Sequence, residues 1–216
     1  IFLGLSGVIS PAFLFIVGLA LPLALQRKIA QGNTQTQVLG YISTRAIALI
    51  IMGLFHVNFS YYNESLALLP RSMFIILSTV SFFLVWLAYP ASIPKSRQQI
   101  LKIIGLIGLA LLALSYKGGT AEQPQWMQIH WWGILGLIGW AYWVVGLVYV
   151  FLKDRLAWLV LFFGVLSLIN IGVHLEWIQL PKLFVGDTAH HILVAGGMLC
   201  TLFYLRFKGT PSPFWL

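Results

Sequence analysis

Side chains capable of acid–base chemistry are scarce in this 216-residue chain: five histidines (His56, His130, His174, His190, His191) and five acids (Glu64, Glu122, Asp154, Glu176, Asp187). The densest group is DTAHH at 187–191. If these residues open a helix, Asp187 lies one turn from His190 and His191. A carboxylate at that distance can hold an imidazole in one tautomer and raise its basicity, which suits a general base, an acceptor-binding group or a metal ligand. The same residues also suit an ordinary helix start, with Asp187 as N-cap and the histidines at headgroup level. No second pair at ligand spacing accompanies them, so no metal is expected.

Three further groups have a chemical and a structural explanation each. His174 and Glu176 in GVHLEWIQ converge only if a helix ends between them, and Asn170 lies one turn before His174. His130 stands among Trp126, Trp131 and Trp132 in QWMQIHWWG. That stretch reads either as an interfacial aromatic belt or as a platform on which a sugar ring packs while His130 and Gln128 bind its hydroxyls. Arg45 in YISTRAIALI either snorkels to a headgroup region or contacts a phosphate-bearing ligand, for which a guanidinium is well shaped. The candidate set is thus His130, His174 and His190 for catalytic support, Arg45 for a cofactor phosphate, and Trp131, Trp132, Asp187 and His191 for substrate.

The elements that hold these residues are transmembrane helices. Hydrophobic residues make up 60% of the chain and charged residues only 8%, with a mean hydropathy of +0.91. A soluble domain carries about a quarter charged residues. Apolar stretches near 8–26, 38–58, 71–90, 98–116, 130–152, 155–174 and 188–207 are long enough to cross ~30 Å of hydrocarbon. The expected fold is therefore all-α, a polytopic transmembrane helix bundle of about seven spans. It forms a single domain over 1–216, expected to be a piece of a longer protein at both ends. Pro11 and Pro22 bracket Gly18 in the first span and predict a kink with close packing. Cys200 has no second cysteine to pair with.

The net charge of +8 is explained by membrane orientation, and a nucleic-acid partner is excluded on that ground. Ten basic residues (Arg27, Lys28, Arg45, Lys95, Arg97, Lys102, Lys153, Arg155, Arg206, Lys208) fall on one side of the alternating spans. Only Arg71, Lys117 and Lys182 fall on the other. By the positive-inside rule the first set is cytoplasmic. All five histidines and four of the five acids then sit at the extracytoplasmic face of a bacterial cytoplasmic membrane.

Residues 10–25 (SPAFLFIVGLALPLAL), 39–58 (LGYISTRAIALIIMGLFHVN), 68–86 (LLPRSMFIILSTVSFFLVW) and 130–144 (HWWGILGLIGWAYWV) resemble the heparan-α-glucosaminide N-acetyltransferase-like membrane proteins, nearest to an uncharacterised bacterial branch. The resemblance implies acetyl transfer from cytoplasmic acetyl-coenzyme A to an amino sugar or other saccharide across the membrane. Pro11, Gly18 and Arg45 are family-like positions. The family's catalytic histidine lies upstream of the segment matched by GLSGVISPAFLF, and Gly7 and Ser10 stand where the family pattern favours an aspartate and an aromatic. The competing expectation is a non-catalytic structural or accessory subunit of a larger membrane complex; a transporter is disfavoured by the near absence of charge at the span centres.

Overall fold

Turn chemistry and long apolar runs translate into seven helices in the computed structural model, which describes residues 5–153, 155–178 and 188–208. They are α1 (Leu5–Ala30), α2 (Gln35–Ser60), α3 (Arg71–Trp86), α4 (Lys95–Ser115), α5 (Gly133–Leu152), α6 (Leu156–His174) and α7 (Ala189–Phe207). Two short strands, β1 (Gly118–Gly119) and β2 (Pro124–Gln125), pair antiparallel between α4 and α5. Each expected span has a helix at its place. Among the described residues, six of these helices are long and apolar enough to cross a membrane, which makes the chain an integral membrane protein.

The exception is α3, expected to reach residue 90. It stops at Trp86, because Leu87 turns extended and Tyr89, preceding Pro90, is biased away from helical geometry. Its 16 residues span only ~24 Å at ~1.5 Å per residue, short of the hydrocarbon thickness. By contrast α1 continues through both Pro11 and Pro22.

The connector between α1 and α2 shows how local sequence sets the boundaries. Gly32, at φ 82°, takes the left-handed position beyond α1, while Asn33 Nδ2 donates to the Lys28 carbonyl at 2.9 Å. Thr34 and Gln37 then form a reciprocal capping box. The Gln37 amide approaches Thr34 Oγ1 at 3.4 Å and the Thr34 amide donates to Gln37 Oε1 at 2.8 Å.

The chain divides into two compact units, residues 1–50 with 134–216, and residues 51–133, so α2 contributes to both. In the first, Leu14, Leu21, Leu25, Ile42, Val145, Tyr149, Leu159, Val194 and Met198 are fully buried in one core. Its tightest seam joins α1 to α7. A Cβ on Gly18 would collide with the Val194 carbonyl, and one on Gly197 with the Phe15 carbonyl, so backbone meets backbone there as small residues allow in membrane helices. Thr201 Oγ1 closes the seam by donating to the Leu19 carbonyl at 2.8 Å. In the same unit, Gly139 of α5 faces the Ala46 carbonyl of α2, 2.9 Å from where a Cβ would stand.

The second unit packs α3 against α4 around an aromatic core. Phe55 and Phe82 meet edge-on at 5.4 Å between ring centroids, and Tyr62 stacks on Phe74 at 4.7 Å. Gly105 and Gly108 of α4 admit Leu84, Val85 and Ser81 of α3. The β1–β2 hairpin is fixed to the end of α2 by a bridge between Tyr62 and Gly118.

Candidate functional site

Three polar groupings emerge, two in the first unit and one in the second. The first is carried by α7. Its opening residues are held by Thr188, whose Oγ1 accepts from Asn170 Nδ2 of α6 at 3.0 Å. Asn170 therefore reaches α7 and makes no hydrogen bond with His174. In the first turn of α7, His191 is only 1% exposed, and neither of its ring nitrogens has a hydrogen-bond partner among the described residues. Burying an imidazole without partners costs free energy that the core must offset, so such a residue calls for a physical reason. His190 beside it is half-buried and engaged. Asp187, expected to support both, lies outside the described residues. His174 is exposed as the last residue of α6. The helix does end there, with Glu176 at φ 60°, but the two side chains form no ion pair.

The second grouping lies where α1 and α2 approach their shared connector. The Lys28 ammonium and the Arg45 guanidinium each lie 5.1 Å from the centroid of the Tyr41 ring, within cation–π range. Arg45 Nη1 also donates to the Tyr41 hydroxyl. No acid among the described residues pairs with either cation. Arg45 is exposed, and the Lys28–Tyr41 part of the cluster is half-buried. Tyr41 and Arg45 are one turn apart on α2 and legible as a pair. Lys28 joins them only because the capped connector folds α1 back beside α2.

The third grouping, in the second unit, was not anticipated. An open cleft of about 500 Å³ is lined by Ser60, Tyr61, Tyr62, Asn63, Glu64, Ser65, Arg71 and Gly119. Arg71 Nη2 donates to the Tyr62 carbonyl at 2.7 Å and the Arg71 amide to Glu64 Oε1 at 2.9 Å. Asn63 Nδ2 binds the Gly119 carbonyl at 2.8 Å. His130 stacks on Tyr61 at 3.9 Å between centroids. Of its expected aromatic companions, Trp131 is 51% exposed, while Trp132 is half-buried and engaged. The His130 segment is positioned by Asn58, fully buried on α2, which exchanges side-chain hydrogen bonds with the Gln128 backbone at 2.9 and 3.0 Å. Thus His130 belongs to the second unit, whereas His174, His190 and His191 belong to the first.

Tyr116, which follows α4, donates to the Asn58 carbonyl at 3.0 Å. Burial raises its phenol from 10.0 to about 12, and burial likewise raises Tyr62. Because the folded value lies above the unfolded one, the stability linked to the protonated Tyr116 phenol is fully present below pH 10.0 and is lost as pH rises towards about 12. An alkaline titration followed by tyrosinate absorbance should show a late-titrating phenol that Tyr116→Phe removes. An unchanged titration curve in that variant would contradict the assignment. The substitution also forfeits one hydrogen bond, at a cost of about 0.5–1.5 kcal/mol.

Among the described residues no group of three or more histidine, cysteine, aspartate or glutamate side chains is gathered as for a metal ion. Seven helices, six of them long and apolar enough to cross a membrane among the described residues, define an α-helical, polytopic membrane protein. The chain belongs to the DUF5009 family, a domain of unknown function, which matches residues 3–174. The match covers α1 to α6 and leaves α7, with His190 and His191, beyond it. No curated protein and no solved structure matches the chain.

Proposed function

We propose that this DUF5009 protein is a membrane acyltransferase that uses acetyl-coenzyme A as donor and an amino sugar or other saccharide as acceptor. The observation that carries this reading is the Lys28–Tyr41–Arg45 cluster. Two cations converge on one aromatic ring with no acid among the described residues to neutralise them. Such an uncompensated pair favours a phosphate-bearing ligand, since charge-assisted hydrogen bonds from guanidinium and ammonium to phosphate are strong. The basic bias of the connectors supports a cytoplasmic position for this cluster, the side on which acyl-coenzyme A is available. The likeness of residues 4–90 and 129–152 to heparan-α-glucosaminide N-acetyltransferase-like proteins supports the same donor.

In the transfer, an acceptor amine attacks the thioester carbonyl. A carbon–nitrogen bond forms, the carbon–sulfur bond breaks, and the coenzyme leaves as a thiolate that takes up a proton. A neutral imidazole that accepts the amine proton accelerates this step. His191, buried and without a ring-nitrogen partner among the described residues, and His190 beside it are the candidates for that role. His174, exposed at the end of α6 in the same unit, is a supporting candidate.

The full-length protein in detergent should bind acetyl-coenzyme A in calorimetric titration, and Arg45→Ala should weaken binding about tenfold, corresponding to ~1.4 kcal/mol. Free coenzyme A should compete, because the phosphates are common to both. If Arg45→Ala lowers stability with unchanged affinity, the cations only meet lipid headgroups. Absence of binding by the wild-type protein would leave the accessory-subunit role as the better account.

A further inference from the structure

We infer that the cleft between the end of α2 and the start of α3 binds the zwitterionic headgroup of phosphatidylethanolamine, with Arg71 taking the phosphate and Glu64 the ammonium. The inference stands apart from acyl transfer and rests on which polar atoms in the cleft are already committed. Asn63 is consumed by the fold: its Nδ2 donates to the Gly119 carbonyl and its Oδ1 accepts from the amide and hydroxyl of Ser65. The Tyr62 hydroxyl donates to the Leu69 carbonyl at 2.7 Å.

The two charged residues are committed only in part. Of the five guanidinium donors of an arginine, Arg71 uses Nη2 on the Tyr62 carbonyl. Glu64 accepts from the Arg71 backbone amide through Oε1 alone. The two side chains form no ion pair, although one cleft holds both. A guanidinium fork and a carboxylate oxygen therefore face the same open volume without satisfying each other.

That arrangement selects the class of ligand. An anion alone would meet the repulsion of Glu64, and a cation alone that of Arg71. A neutral polyol would leave both charges without a counter-charge. A molecule with phosphate and primary ammonium joined by a short arm answers both at once, and the ammonium hydrogens are the donors that a carboxylate accepts. The surroundings select a lipid over a soluble zwitterion. The cleft lies at the ends of apolar helices, Leu68 beside it is 90% exposed, and Met73, Ile76 and Leu77 are exposed along α3 beyond Arg71. These residues offer an apolar flank to acyl chains below the headgroup.

The test compares thermal unfolding of the full-length protein in nanodiscs. One set holds phosphatidylethanolamine mixed with phosphatidylglycerol; the other holds phosphatidylcholine with the same proportion of phosphatidylglycerol. Phosphatidylcholine keeps the phosphate but has no ammonium hydrogens. The wild-type protein should melt higher in the ethanolamine lipid, and in detergent the lipid's apparent affinity should drop about tenfold in Glu64→Gln. That variant keeps an oxygen acceptor for the Arg71 amide, so its fold is spared. Arg71→Gln should lose the preference as well. Equal melting of the wild-type protein in both membranes overturns the proposal without recourse to any variant. Saturable binding of soluble phosphoethanolamine with no difference between membranes overturns the lipid as occupant.

Discussion

Replacing His191 with leucine should make the folded protein more stable and, on the acyltransferase reading, sharply lower its activity. The side chain is 1% exposed and neither ring nitrogen has a partner among the described residues, so burying it carries a desolvation cost that no bond within those residues compensates. An apolar residue of similar size removes that cost, and a gain of about 1–3 kcal/mol is expected. Transfer should meanwhile drop at least ~10²-fold, the usual contribution of a positioned general base. Denaturant unfolding alongside a single-turnover acetylation assay measures both. A stabilised variant with full activity would mean that the imidazole plays no part in the chemistry. A destabilised one would show that it makes bonds essential to the fold. The opposition of the two effects matters most, because stability sacrificed at one buried residue is a sign of a functional site.

Valine at Gly18 or Gly197 should prevent the protein from reaching its native state. At both positions the first atom of any side chain would overlap a backbone carbonyl of the facing helix, Val194 in one case and Phe15 in the other. A flexible side chain can move aside, whereas two packed helix backbones must separate. Separation would also strain the Thr201–Leu19 bond and open the core around Leu14, Val194 and Met198. A loss above ~4 kcal/mol is expected, at the extreme of single substitutions. Gly164→Ala is the control: nothing lies within 4 Å of its would-be Cβ, and alanine in a helix gains about 0.5–1 kcal/mol over glycine. Size-exclusion profiles and thermal melts in detergent distinguish the three. A monodisperse Gly18→Val protein with normal melting would refute the seam as described.

Much of this architecture was legible in the order of residues because membrane helices are specified locally. A run of apolar residues needs only length to become a spanning helix, since its backbone hydrogen bonds are satisfied within the segment. All seven helices accordingly stand where apolar runs predict them, and the capping box at Thr34–Gln37 is itself a sequence pattern. The shortfall of α3 was legible too, in Pro90, though hydropathy alone carried the span up to that residue.

Partner choice was not legible, because it depends on helix rotation and on which segments become neighbours. Nothing local says that Gly18 must meet α7, that Lys28 joins Tyr41 and Arg45, or that Arg71 and Glu64 share a cleft without pairing. The histidines illustrate the division well. Their positions at helix ends follow from periodicity and length. Yet adjacent residues on α7 receive different environments, His190 half-buried and His191 enclosed with no partner among the described residues, because successive side chains on a helix diverge by ~100°. Composition determined the solvent of this protein and the number and order of its helices; packing alone decided which of its few polar residues would be left with unmet hydrogen bonds.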